Sequence, residues 1–292
     1  MFFYYFLGIL VMIVFILQAV AFLTLMERHL LGGSQCRLGP NKVGYFGVLQ
    51  AIFDGLKLVK KEQLVIFFSS VVSFLFVPVV GFVSMIFFWF SLPYFFDFMT
   101  FDFSGLFFFC VMAFSVFPVV LAGLSSGGVY SFLGGLRSAS QSFSYEIAFS
   151  FYFLIFFVFN KSLVFFFGFN VFFILFFIPY FFMVLMDLHR APFDFAECES
   201  ELVSGFNVEY SSVGFAGLFL GEYGNLLFFS CLSSVLFFGF SFFCVYFMLF
   251  IIIFSRSAYP RFRFDKLMSF CWFGLLPVGF YFFGLSYVLF LF

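Results

Sequence analysis

The sequence predicts an all-α polytopic membrane protein with about eight transmembrane helices and one interfacial amphipathic helix. Three observations carry that expectation. Hydrophobic residues make up 65% of the 292 residues and charged residues only 9%, against roughly 45–50% and about 25% in soluble proteins. The charges are also confined, leaving charge-free runs at 1–26, 63–96, 103–136, 147–160, 162–186, 223–255 and 267–292. A bilayer core of about 30 Å takes roughly 20 helical residues, so most of these runs are long enough to cross. Finally, stretches such as Phe165-Phe166-Phe167 and Ile251-Ile252-Ile253 do not alternate as barrel strands would, which leaves helices as the way to satisfy the backbone in lipid.

The same numbers exclude other classes. A mean hydropathy of +1.21 with only 27 charged side chains in 292 residues excludes disorder, a disulfide scaffold and an electrostatically driven nucleic-acid binder. Six cysteines are never closer than 13 residues, which is no zinc, iron–sulfur or disulfide pattern. No metal site and no redox centre of the chain's own are expected.

The expected spans of this single membrane domain, 1–292, lie at about 2–26, 66–92, 103–123, 139–160, 163–186, 211–237, 240–255 and 268–290. The first run has no basic flank and no small-residue cleavage site after it, so a retained first helix is expected in place of a signal peptide. The 46 residues between Glu209 and Arg256 would make a helix of about 69 Å, twice what one crossing needs, so two spans are placed there with a turn at Gly239. With eight spans, twelve of the thirteen cations fall on one side and only Lys161 on the other. That is a strong positive-inside signal, and it puts both termini on the opposite side.

Four polar segments interrupt the lipid-like sequence. The first, Glu27–Glu62, begins as a Gly-rich stretch with loop character. A helical pattern over 45–61 then sets Gln50, Asp54, Lys57 and Lys61 on one face, with Phe46, Leu49, Ile52, Phe53, Leu56 and Val59 on the other. Such a helix lies in the interface plane, either as a plain surface anchor or as a ledge for an amphiphilic molecule of the bilayer. The second, Ser125–Ser144, leads into a span that carries Glu146 about 13.5 Å beyond Arg137, near mid-membrane. An isolated carboxylate there costs roughly 2.5–3.5 kcal/mol, so it should face the bundle interior and be paired or neutral.

The third, the 187–210 loop, holds Asp187, Asp194, Glu197, Glu199, Glu201 and Glu209, six of the fourteen acids. If Pro192 opens a short helix, Asp194, Glu197 and Glu201 share one face and titrate as a coupled unit. Glu222 then sits about 16 Å into the sixth span, beside a Gly217–Gly221 pair that lets another helix approach. Glu146, Asp187, the loop acids and Glu222 read as a chain of protonatable groups. The fourth, Arg256–Lys266, reads as a basic loop or a docking surface for a peripheral subunit.

At these segments the sequence closely resembles the membrane subunit 1 family of NADH:quinone oxidoreductase, respiratory complex I. The resembling stretches are Glu27–Glu62, Leu136–Glu146 (LRSASQSFSYE), Arg190–Tyr210 (RAPFDFAECESELVSGFNVEY) and Arg256–Leu267 (RSAYPRFRFDKL). The resemblance implies a core subunit in the mitochondrial inner membrane, with its basic loops on the matrix side and its termini in the intermembrane space. That subunit couples electron transfer from NADH to quinone with proton translocation. Implied partners are the matrix-arm subunits of the quinone site, the neighbouring membrane-arm subunits, quinone and lipid, and no nucleic acid. NADH, FMN and iron–sulfur clusters would belong to other subunits.

Carried over by motif, Arg28, Arg37, Phe46, Leu49, Phe53, Asp54, Arg190, Asp194 and Phe219 are the implied quinone-tunnel residues. Glu146, Asp187, Glu197, Glu199, Glu201 and Glu222 are the implied proton-path residues. The family usually carries Glu where this chain has Asp187, so the side chain here is one methylene shorter. Two other readings share the buried carboxylates: a stand-alone cation or proton transporter, and the membrane anchor of an energy-converting hydrogenase. The first lacks the internal repeat common in transporters, and the Arg190–Tyr210 signature weighs against the second.

Overall fold

In the computed structural model, residues 2–65, 70–94, 101–165, 171–196 and 202–291 are described. Their regular structure is all helical, with no strand among them. The helices are α1 (Phe2–Ser34), α2 (Val48–Lys60), α3 (Val71–Trp89), α4 (Ser104–Ser125), α5 (Val129–Asn160), α6 (Val171–Asp187), α7 (Ser212–Phe238), α8 (Phe242–Ala258) and α9 (Phe264–Leu291). Six of them are long and apolar enough to cross a membrane, and two shorter apolar helices, Leu175–Asp187 and Phe242–Ala258, accompany them. The chain is an all-α polytopic membrane protein.

Aromatic packing fills the middle of the bundle. The Phe108 ring lies 4.7 Å from Phe153, 5.6 Å from Phe165 and 6.0 Å from Phe228, within the 4.5–7 Å range of favourable ring pairs. The outer faces are equally apolar: Phe15, Phe243 and Phe273 are 65%, 80% and 84% exposed. In water such a surface would aggregate; in lipid it costs nothing.

Several elements run differently from the sequence pattern. The stretch from Glu27 is not a loop, because α1 continues to Ser34. Glu27, Arg28 and the leucines after them are good helix formers, and the Glu27 carboxylate is fixed on the inner side of the bundle. The amphipathic helix starts at Val48, since Phe46 and Gly47 take positive φ of 55° and 72°. A Cβ at Gly47 would collide with the Pro40 carbonyl, so this corner needs glycine. The Gly134–Gly135 stretch is helical within α5. Its two glycines let backbones touch, as a Cβ at Gly134 would stand 3.0 Å from the Gly205 backbone and one at Gly135 3.3 Å from Gly123 Cα.

Two further features position the site. Gly217 and Gly221 of α7 face Pro78 and Gly81 of α3, the close approach that small residues permit. Gly239 (φ 67°) separates α7 from α8, which starts with Ser241 Oγ accepting the Cys244 N–H. α9 contains a π-helical turn, Phe270–Leu275, and the Tyr152 hydroxyl donates to the Leu275 carbonyl at 3.0 Å. A π-turn leaves carbonyls without their usual partners, and Tyr152 satisfies one of them.

Candidate functional site: two cavities divided by adjacent residues

α1 brings one carboxylate, Glu27, into contact with residues far along the chain. Its Oε1 accepts from Arg190 at 3.3 Å and Arg256 at 2.8 Å, and its Oε2 accepts from the Tyr223 hydroxyl at 2.6 Å. Glu27 is buried, with a side chain 8% exposed, so each oxygen needs these donors. The Arg190 guanidinium also lies over the Tyr223 ring, 4.3 Å from its centroid, a cation–π geometry. Burial disfavours the Arg190 charge, but Tyr223, Glu27 and Glu222 around it outweigh that and hold its pKa above the usual value.

Two neighbouring cavities open at this cluster. One, of about 580 Å³, is lined by Thr24, Glu27, Arg28, Leu31 and Gln35 of α1 with Phe219, Tyr223 and Arg256. The other, of about 200 Å³, is lined by Arg190, Ser204, Asn207, Phe215, Phe219, Tyr223 and Arg256. They share Phe219, Tyr223 and Arg256, so together they offer aromatic walls and guanidinium donors. The combined size suits a small-molecule ligand.

A third, polar cavity of about 70 Å³ lies alongside. Its wall includes Ser142 and Tyr145 of α5, Asp187 at the end of α6, His189, and Glu222 and Asn225 of α7. The Tyr145 hydroxyl donates to Asp187 Oδ1 at 2.5 Å, at the short end of O–H···O bonds. The shorter Asp187 therefore reaches its partner directly. Pro78 and Pro118 interrupt the backbone ladders of α3 and α4 here, where Gly81, Ser84, Ser115 and Pro118 complete the wall.

The division between these spaces is made by consecutive residues. His189 and Glu222 line the polar cavity, while the next residues, Arg190 and Tyr223, line the neighbouring cavity of about 200 Å³. Glu222 also stands within electrostatic reach of Arg190. A charge change in one cavity is therefore felt in the other across a single residue step.

The structure brings together some of the sequence-predicted residues and leaves others apart. Arg28, Arg190 and Phe219 line the larger cavities, and Asp187 and Glu222 share the polar one. Glu146 opens onto a separate cavity of about 200 Å³ with Phe109, Met112, Ala113, Phe149 and Ser150. Phe46, Leu49 and Phe53 are exposed on the outer side of the amphipathic segment. Asp54 is tied to Arg28 at 2.7 Å on the surface, and the exposed Arg37 donates to Gln35 at 2.8 Å.

Asp194 is buried and pairs with Arg261 at 3.3 Å. No helix opens at Pro192, because residues 191–196 form turns. That segment is clamped instead: Pro192 accepts from the Phe262 N–H at 3.0 Å, and Gln141 Nε2 donates to the Met186 and Phe193 carbonyls. Glu197, Glu199 and Glu201 lie outside the described residues.

Glu27, Tyr145, His189, Tyr223 and Arg256 line these cavities and are not among the site residues expected from the sequence. One signal was available: Glu27 is the first charge after 26 charge-free residues, and a lone acid at a span end invites a search for its cations.

Comparison with known proteins identifies the family. The sequence model of the NADH dehydrogenase family matches residues 7–287. NADH-ubiquinone oxidoreductase chain 1 of Aedes aegypti is 41% identical, with 96% of this chain and 95% of the relative covered. Its Locusta migratoria counterpart is 40% identical over 99% and 97%. A bacterial NADH-quinone oxidoreductase subunit, from Rhodospirillum rubrum, is 36% identical over 89% and 86%. Matched along nearly its whole length, the chain belongs to the NADH dehydrogenase subunit 1 family.

Proposed function

We propose that this chain is a core membrane subunit of the proton-translocating NADH:quinone oxidoreductase of the mitochondrial inner membrane. In this reading it forms much of the quinone tunnel and links quinone reduction to proton movement. The observation that carries it is the pair of aromatic and cationic cavities beside a polar cavity holding Asp187 and Glu222. Arg190 and Arg256 carry further N–H groups that can donate to a quinone carbonyl. Phe219 supplies a flat apolar wall for the ring and tail.

Electrons and redox groups come from partner subunits of the complex. Reduction of the quinone consumes two electrons and two protons, and the change in charge near Arg190 is transmitted to Glu222. Asp187, Glu222 and, in the next cavity, Glu146 carry the response into the membrane, with Glu197, Glu199 and Glu201 as its loop-side members. The basic loops face the matrix and both termini face the intermembrane space.

Filling the shared wall tests the tunnel. Phe219→Trp should lower quinone-linked NADH oxidation severalfold in membranes, with a raised apparent KM for long-tailed quinone, after normalisation to oxidation by an artificial acceptor. A photoreactive quinone analogue should label residues in 24–35 or 215–223 and be displaced by quinone. Labelling confined to other subunits, with an unchanged KM in the variant, would refute the assignment.

A further inference from the structure

α1 packs into the bundle along one stripe and leaves the opposite stripe bare. Ile16, Val20, Leu23 and Glu27, at i, i+4, i+7 and i+11, are buried. Leu7, Val11, Val14, Gln18 and Phe22 are exposed on the far side. At about 100° per residue, Gln18 stands almost diametrically opposite the buried stripe. Its four companions suit lipid, and an amide does not. Gln18 is the midpoint of α1 (Phe2–Ser34) and lies nine residues before Glu27, about 13.5 Å along the axis. Glu27 belongs to the polar cluster where the spans end, so Gln18 lies near the centre of a ~30 Å hydrocarbon core. Among the described residues, no other amide or charged side chain is exposed so deep inside a spanning helix.

A carboxamide brings two N–H donors and an acceptor oxygen. Lipid tails meet none of these, and leaving them unpaired in hydrocarbon is costly. With only two methylenes, the side chain cannot reach either headgroup layer from that depth. What satisfies such a group within a bilayer is a hydrogen bond to a polar side chain on a neighbouring helix. The spacing of the bare stripe fits a helix as well. Leu7, Val11, Val14 and Gln18 follow 4-3-4 steps, the 3.5-residue seam along which two helices supercoil left-handedly. A single polar residue in an otherwise apolar seam fixes the register of the pair.

We propose that the outer stripe of α1 is a docking surface for one transmembrane helix of another subunit, and that Gln18 hydrogen-bonds to an amide or hydroxyl side chain on that helix at the same depth. The apolar positions of the stripe accept lipid and protein alike. Gln18 makes the choice, because only a partner with a matching donor and acceptor repays its burial. A helix seated there also braces α1 from behind, on the side opposite the Glu27 carboxylate that holds Arg190, Arg256 and Tyr223. The inference rests on the transmembrane fold and not on the assignment of the cavities.

The test uses the full chain in its native membrane. A photoreactive amino acid placed at position 18 should crosslink to one polypeptide other than this chain. The crosslinked peptide should be an apolar helical segment with Asn, Gln, Ser or Thr within one turn of the labelled residue. Gln18→Leu keeps the bulk and the helix propensity of the side chain and removes only the amide. After detergent extraction it should retain the same polypeptide roughly three- to tenfold less well than the parent, the range expected for one interhelical hydrogen bond. Oxidation of NADH by an artificial acceptor should stay at the parental level, since no cavity residue is changed. Labelling of lipid alone, of a second copy of this chain or of an all-apolar segment overturns the proposal. So does equal retention of the crosslinked polypeptide in Gln18→Leu and the parent.

Discussion

Glu27→Ala is expected to lose most of the assembled, quinone-active complex. The substitution leaves the Arg190 and Arg256 guanidiniums without the carboxylate they share and the Tyr223 hydroxyl without its acceptor. Removing one partner of a buried ion pair typically costs about 3–5 kcal/mol, because the remaining charge stays buried and uncompensated. Arg190 has a side chain only 13% exposed, so water cannot replace the lost carboxylate there. Arg256, at 36%, is better placed to recover hydration.

A double-mutant cycle separates the pair energies from general damage. Glu27→Ala combined with Arg190→Ala should be less harmful than the sum of the two single substitutions. The coupling with Arg256 should be smaller. Native-gel staining for NADH dehydrogenase activity gives the amount of complex, and quinone-linked turnover gives its competence. Full assembly and normal turnover in Glu27→Ala would show that the cluster contributes to neither.

Asp187→Ala should produce the second large effect, and of a different kind. Asp187 accepts the hydrogen bond of a fully enclosed tyrosine, so its loss leaves the Tyr145 hydroxyl unpaired at about 1–3 kcal/mol. Assembly should survive that cost in part, while quinone-linked turnover of the assembled complex falls by on the order of a hundredfold, the usual size of a lost proton-transfer group. Asp187→Glu adds one methylene and preserves the carboxylate, so it should retain most of the activity. Tyr145→Phe removes the donor but no carboxylate and should be the milder change. Equal damage from all three variants, with normal pumping per quinone reduced, would mean that Asp187 acts only as a packing and hydrogen-bonding residue.

Much of the architecture was legible because lipid leaves the backbone few choices. A charge-free run of twenty or more residues must be helical to satisfy its own N–H and C=O groups, so runs such as 103–136 announce their helices whatever the side chains are. The 67 phenylalanines serve as interchangeable filler, and the same residue lines both the core, as Phe108, and the lipid face, as Phe273. Scarce polar residues were the informative ones. Asp187, Glu222 and Arg190 all border the cavities, with Phe219 as a shared wall.

What stayed hidden were pairings. Glu27 meets partners 163, 196 and 229 residues away, and no local periodicity reports such distances. Arg256 reads as one more cation in a basic loop until Glu27 is found beside it. The amphipathic helix adds a second kind of distance from the cavities. Phe46, Leu49 and Phe53 are exposed on this chain, and the walls of the cavities at Glu27 come largely from α1 and α7. His189, with φ 47° just past the end of α6, is invisible for a third reason, because a left-handed turn is a property of the helix end and not of the residue that fills it.

In the proposed function, one chain sets a quinone cavity and a proton cavity side by side, joined through Glu222 and Arg190. This arrangement is tested most directly by quinone-linked NADH oxidation with simultaneous proton pumping in membranes carrying Glu222→Gln, both normalised to oxidation by an artificial acceptor. Both should fall at least tenfold while the assembled complex still oxidises NADH at its partner subunits. Quinone reduction and pumping at the parental rates would contradict it.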